Sequence, residues 1–345
     1  MTLRRLLGIE LPIIQAPMAG VQGSSLAVAV SNAGGLGSLP CAMLGAASML
    51  RELTAIEAES DRPFNVNFFC HAQPKANAER EAAWRSALAP YYDEYEVDAT
   101  SIPADPGRLP FGAEAADLLE RFKPAVVSFH FGLPPSDLLA RVRGWGSKIL
   151  STATTVAEAL WLESQGVDAI IAQGLEAGGH RGMFLSDDLT SQVGTFALLP
   201  QVVRAVKLPV IAAGGIADAQ GVAAAMALGA SGVQVGTAYL LCREATTSAV
   251  HRAALKSEAA RHTAVTNLFT GRPARGIVNR IMRELGPISP VAPAFPLATT
   301  AIAPLRAKAE GRGCGDFSPL WCGQNAEGCM EVPAAELTRR LAAGI

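Results

Sequence analysis

Three histidines stand just after or at the end of short apolar runs: His71, His130 and His180. Imidazole is the side chain whose ordinary titration falls near neutral pH, so a cluster of them can take and give protons. His180 has the most unusual setting, Gln173-Gly-Leu-Glu-Ala-Gly-Gly-His-Arg-Gly182. Gly178 and Gly179 remove side chains there, which lets something large come close to the backbone. The stretch reads as the edge of a cofactor site that carries a titratable histidine. His71 and His130 are candidates to bind substrate; loop orientation or strand capping is the alternative role for each.

Two further glycine-rich ends follow apolar runs, Ala213-Gly-Gly-Ile216 and Gln234-Val-Gly-Thr237. Backbone N–H groups at Gly214, Gly215, Gly236 and Thr237 could converge on phosphate oxygens. Asp218 is placed to cap the helix that follows. The run Gln15-Ala-Pro-Met-Ala-Gly20 puts Ala16, Pro17 and Met18 where a polarizable thioether and small residues suit a flat ring, a packed turn being the alternative. The amides of Asn67, Gln173 and Gln234 could read polar atoms on that ring. These parts suit a phosphorylated planar cofactor. FMN fits them better than a nicotinamide dinucleotide, because no G-x-G-x-x-G follows a strand.

Eight apolar runs must position these residues: Pro12–Ala16, Gly35–Leu39, Phe64–Phe69, Ala125–His130, Lys148–Thr152, Ala169–Gln173, Pro209–Gly214 and Gly232–Gly236. Helical patterns lie between them, as at Thr155–Gln165 and Asp218–Leu228. Near-continuous apolar strands alternating with helices imply a parallel sheet covered on both faces. Eight such units predict an α/β fold, a (β/α)8 TIM barrel, with an open doubly wound sheet as the alternative. A barrel of this kind carries its site at the C-terminal strand ends, where the three histidines fall. Residues 71–115, with the polar-looking Tyr91-Tyr-Asp-Glu-Tyr-Glu96, and residues 175–200 are long for plain connections. We expect residues 1–238 to form the cofactor-binding barrel and 239–314 a smaller, mainly helical inserted subdomain over its mouth. Helical patterning there runs from Glu244 to Glu258, followed by a proline-rich run, Pro287 to Pro304. Residues 315–345 form a C-terminal segment returning to the barrel.

Composition narrows the classes. The chain has 345 residues, 50% apolar and 17% charged, with a formal net charge of −2. That fits a deeply buried enzyme and argues against nucleic acid as a partner. The uncharged stretches Leu11–Leu50 and Ala219–Cys242 are broken by Gly, Ser, Asn, Gln or Pro, so neither reads as a membrane span. The start, Met1-Thr-Leu-Arg-Arg-Leu-Leu7, has the look of a signal peptide, but Glu10 and Pro12 interrupt it; the expectation is cytoplasmic. Cys314, Cys322 and Cys329 are eight and seven residues apart, poor zinc spacing, so no metal is expected and the six cysteines read as free thiols.

The chain resembles the nitronate monooxygenase family, formerly 2-nitropropane dioxygenases, of class I type. The resemblance rests on Gln15-Ala-Pro-Met18, Phe64-Asn-Val-Asn-Phe68, the Gln173–Gly182 segment, Ala212-Ala-Gly-Gly-Ile216 and Gln234-Val-Gly-Thr237. Thr270-Gly-Arg-Pro-Ala-Arg-Gly276 and Leu320-Trp-Cys-Gly-Gln324 extend it towards the C-terminus. It implies FMN held by residues Met18, Asn67, Gln173, Gly178, Gly179, Gly214, Gly215, Gln234, Gly236 and Thr237. Trp321 and Gln324 would close over it, and His180 would be catalytic. It also implies oxidation of alkyl nitronates, such as propionate 3-nitronate, by FMN and O2 to a carbonyl product and nitrite. Nitroalkanes are second candidate substrates, and a monomer or weak homodimer is expected.

Three rival readings stand beside it. An NAD(P)H-dependent flavin reductase of enoyl thioesters or quinones shares the glycine-histidine segment. A metal-dependent TIM-barrel hydrolase could use His71, His130 and His180, but lacks H-x-H on the first strand. A non-catalytic flavin-binding protein would not need His180.

Overall fold

The computed structural model describes residues 2–75, 77–102 and 108–345. All eight apolar runs are strands: β1 (Ile13–Gln15), β2 (Gly37–Pro40), β3 (Phe64–Phe69), β4 (Val126–His130), β5 (Lys148–Ala153), β6 (Ala169–Gln173), β8 (Val210–Ala213) and β9 (Gly232–Val235). A short β7 (Gly179–His180) falls between the sixth and seventh of these, and β10 (Thr263–Thr266) and β11 (Ala274–Ile277) follow them. The eight are hydrogen-bonded in parallel in the order β1-β9-β8-β6-β5-β4-β3-β2. The two ends meet where Gln15 N–H donates to the Leu36 carbonyl at 3.0 Å and Leu36 N–H to the Ile13 carbonyl at 2.9 Å. Closure removes both sheet edges, and the sheet is a (β/α)8 barrel rather than an open one.

Local sequence explains the packing around it. A Cβ at Gly37 would sit 1.9 Å from the Ala27 carbonyl oxygen, so glycine lets the helix Ser24–Asn32 lie directly on β2. Thr155 caps the helix Val156–Ser164, and Asp218 caps Ala219–Ala227 by accepting from Gly221 N–H at 2.8 Å. Leu3 and Leu7 from the first helix are buried with Ile14, Leu36, Val126, Leu150 and Ile211. Among the described residues no helix is long and apolar enough to cross a membrane.

A second apolar core lies outside the barrel. Trp84, Leu88, Tyr91, Tyr92 and Tyr95 of the helix Ala78–Tyr95 meet Ala301, Ile302 and Leu305 of the helix Ala298–Gly311. Tyr92 OH donates to the Ala301 carbonyl at 2.8 Å. The 91–96 stretch is therefore not the surface patch its charges suggested. Positions 88, 91, 92 and 95 share one helical face, and Asp93, Glu94 and Glu96 point away from it. The helix expected over Glu244–Glu258 is shorter, Ala249–Leu255, because Ser248 caps it. Glu244 instead accepts from Ala334 N–H at 2.9 Å, at the start of the last helix.

Candidate active site

The C-terminal strand ends open into one cavity. Its empty volume, open mouth included, is about 1340 Å³. The wall includes Ala16, Pro17 and Met18 after β1, Asn67 on β3, His130 on β4, Gln173 on β6, and Gly178, Gly179 and His180. Ala213, Gly214 and Gly215 after β8, with Gln234, Gly236 and Thr237 at β9, continue it, and Trp321 joins from the tail. Two expected residues are not on the wall. Gln324 is exposed, and its neighbours Gly323 and Asn325 line the cavity instead. His71 is buried behind the wall, with Nε2 against the Arg108 carbonyl at 3.0 Å and its ring edge-on to Phe295.

His180 is placed by a small sheet that the strand count did not anticipate. Strand β7 pairs antiparallel with β11, His180 opposite Ala274 and Gly179 opposite Arg275, so the Thr270–Gly276 motif holds the histidine loop from outside the barrel. The His180 carbonyl accepts from Gln173 Nε2 at 3.0 Å and from His130 Nε2 at 3.1 Å. Gln173 Oε1 accepts from Gly182 N–H at 2.8 Å, so this amide braces the loop. His130 completes its pairing with Nδ1 at 3.1 Å from Thr152 Oγ1. Both of its nitrogens are engaged by protein groups, so it supports the His180 backbone while also lining the cavity. Burial holds its pKa down at about 4. Arg181, fully buried, donates to the Gln173 and Gly174 carbonyls and to Gln192 Oε1, locking the other side of the loop.

The close approach inferred at Gly178 comes from the chain itself. A Cβ there would meet Gly323 N at 2.6 Å and the Cys322 carbonyl carbon at 2.7 Å. The tail is fastened over this point by Gly323 N–H donating to Thr237 Oγ1 at 2.9 Å and Gln324 N–H donating to the Glu176 carbonyl at 2.9 Å. Gly179 differs: its φ of +69° favours glycine, and nothing lies within 4 Å of where its Cβ would be.

The electrostatics set the protonation states. His180 is ringed by Phe69, Phe131, Phe295 and Trp321, with ring centroids 5.4–5.9 Å away. Burial first, and then the positive charges of Arg108 and Arg272, hold its pKa well below the usual histidine range. Its imidazole is therefore neutral at pH 7, with Nε2 2.9 Å from Thr270 Oγ1. Arg272 lies over Phe131 at 4.0 Å from the ring centroid. Arg108 lines the cavity, and no Asp or Glu is among the described residues on that wall. The sequence does not mark Arg108; Thr270 and Arg272 are marked only by lying in the Thr270–Gly276 motif.

Whether a ring cofactor fits can be tested on one atom. Gln234 Oε1 is buried on the cavity side of β9 with no hydrogen-bond partner. Such an orphan is costly unless a bound donor completes it, and a ring N–H is a donor of the right kind. Asn67 spends its Nδ2 on Ser128 O and Oγ. Gly214 and Gly215, at φ of +114° and +75°, open the backbone at the expected phosphate end.

Comparison with known proteins agrees with this geometry. A family model described as nitronate monooxygenase matches residues 1–344. A nitronate monooxygenase of Paraburkholderia phytofirmans is 45% identical over 97% of this chain and 92% of its own length. Another, from Pseudomonas aeruginosa, is 44% identical over 98% and 97%. The solved structure of nitroalkane oxidase from Streptomyces ansochromogenes superposes with a TM-score of 0.88 at 40% identity, covering 99% of this chain and 97% of that one. The chain belongs to the nitronate monooxygenase family and is an oxidoreductase built on a TIM barrel.

Proposed function

We propose that the chain oxidises alkyl nitronates with O2 at this cavity, using FMN, and accepts neutral nitroalkanes through His180. The observation that carries the reading is the pairing of a neutral histidine with an arginine on a wall free of carboxylates among the described residues. Gly214, Gly215, Gly236 and Thr237 would hold the phosphate, and Ala16 to Met18, Asn67 and Gln234 the ring. Bound FMN supplies the electron transfer between nitronate and O2.

The chain's own residues do the rest. Arg108 attracts an anionic nitronate and neutralises its charge in a cavity where little water screens it. For a nitroalkane, His180 takes the α-proton; the C–H electron pair passes into the nitro group and leaves a nitronate in place. Phe69, Phe131, Phe295 and Trp321 surround the half-buried base and exclude part of its water, which favours the neutral form. We propose that residues 1–238 carry the cofactor and 239–314, joined by the helix Ala78–Tyr95, cap it, with 315–345 returning to the mouth. Six free cysteines support a cytoplasmic setting, and scattered exposed apolar side chains support a monomer or weak homodimer.

Anaerobic mixing of the flavin-loaded protein with propionate 3-nitronate, and separately with NADH, tests the reading. Bleaching of the flavin absorbance by the nitronate and little change with NADH are expected. Bleaching by NADH alone would transfer the chain to the reductases.

A further inference from the structure

The Thr270-Gly-Arg-Pro-Ala-Arg-Gly276 motif does more than pair β11 with β7. Thr270 is buried, and its Oγ1 is 2.9 Å from His180 Nε2. The same oxygen is 3.4 Å from the Arg272 carbonyl oxygen and 3.4 Å from the Arg272 backbone nitrogen. A threonine hydroxyl carries one proton and two lone pairs. One arrangement satisfies all three contacts: the hydroxyl donates to the Arg272 carbonyl and accepts from both Arg272 N–H and His180 Nε2–H. In the opposite arrangement the hydroxyl proton goes to His180 Nε2. The Arg272 carbonyl then loses its donor, and no other described group replaces it.

We infer that Thr270 is a positioning residue that fixes the proton of neutral His180 on Nε2 and so leaves the Nδ1 lone pair as the base. Nδ1 meets no hydrogen-bonding partner among the described residues, whereas Nε2 is tied to Thr270. Thr270 is itself held rigidly. Gly271 N–H donates to the Asn267 carbonyl at 2.8 Å, and at φ +89° a Cβ on Gly271 would strike the Pro293 carbonyl oxygen at 2.1 Å. Arg272, next in the turn, lies over Phe131 and donates to the Met183 carbonyl, tying the turn to the barrel side of the cavity.

The charged and titratable groups facing His180 do not compete for this proton. Arg108 and Arg272 are cations and only donate. His130 spends Nε2 on the His180 carbonyl, and His71 is turned to the Arg108 carbonyl. The aromatic rings of Phe69, Phe131, Phe295 and Trp321 also face it. When Nδ1 accepts the α-proton of a nitroalkane, a C–H bond breaks and an Nδ1–H bond forms. The imidazolium then keeps its Nε2–H bond to Thr270, so the orienting contact survives the transfer.

This inference rests on the base role proposed for His180, and its test separates the two. Side-chain ¹H–¹⁵N correlation spectra of ¹⁵N-histidine protein, with the His180 signals identified by their loss in H180N, report which nitrogen carries the proton. The wild type is expected to show Nε2–H and an unprotonated Nδ1. Thr270→Val is expected to mix the tautomers and lower kcat on a neutral nitroalkane by about ten- to a hundredfold, with KM within about twofold. Thr270→Ser, which keeps the hydroxyl, is expected to restore both. A wild-type spectrum with the proton on Nδ1, or an unchanged tautomer in T270V, overturns the inference. The wild-type spectrum decides even where T270V does not fold. An Nε2–H tautomer in a protein that turns over no nitroalkane keeps the inference and sinks the base role instead.

Discussion

His251 ties the tail to the mouth of the barrel, and acid should loosen it by a predictable amount. The residue is 4% exposed, and its Nε2 donates to the Trp321 carbonyl at 3.1 Å. Burial lowers its pKa from the ordinary 6.5 to about 4, against the smaller opposing pull of that hydrogen bond. Between these values the unfolded chain binds a proton on His251 and the folded chain does not. Its contribution is complete above pH 6.5 and is lost as the pH falls towards 4. The loss accumulates at ~1.4 kcal/mol per pH unit below 6.5, which gives about 2 kcal/mol at pH 5. That is a large share of the ~5–15 kcal/mol by which a folded domain is stable. Urea unfolding of wild type and His251→Gln at pH 7 and pH 5 measures it. The glutamine can still donate to Trp321 but does not titrate, so H251Q should lose about 2 kcal/mol less than wild type between the two pH values. If both proteins lost the same amount, the burial argument for this histidine would be refuted.

Two further substitutions separate the roles assigned in the cavity. His180→Asn should cut nitroalkane turnover by about 10²- to 10⁴-fold and spare part of the nitronate activity, since only the neutral substrate needs a base; equal losses on both would end that division. Arg108→Met should raise KM for an anionic nitronate by about ten- to a hundredfold, the worth of a hydrogen bond to a charged group, and leave KM for a neutral nitroalkane nearly unchanged. Steady-state oxygen consumption on the two substrates reads both variants.

The barrel was legible because its signal is local. Each strand is a short apolar run with a turn after it, and Asp218 and Thr155 announce their helices by type and position alone. The glycine-rich ends were legible for the same reason, since a glycine after a strand constrains only its own backbone. What the sequence hid depends on partners far along the chain. Tyr91, Tyr92 and Tyr95 sit among acids in sequence and among apolar residues in space, because a helix sorts them by face and the covering helix begins some two hundred residues later. Gly178 announced a close approach but not what approaches; the answer is Cys322 and Gly323, from the tail. Thr270 is ninety residues from His180, and only the pairing of β7 with β11 brings the two together.

The same geometry divides two duties that a histidine in such a loop could carry. A histidine in a glycine-rich loop can serve as a base when neutral or as an anion clamp when charged, and its type does not say which. Four aromatic rings and two nearby arginines make the charged form expensive, because each removes water from the imidazolium or repels it. An anionic substrate nevertheless needs a positive partner in a cavity whose described wall has no acid to oppose one. Arg108 is already ionised there and stays so at any ordinary pH, since guanidinium loses its proton far above neutrality even when burial lowers its pKa. On the proposed reading the arginine's charge serves twice: it would draw the nitronate in, and it adds to the burial that keeps the neighbouring histidine neutral for substrates that arrive with their proton still attached.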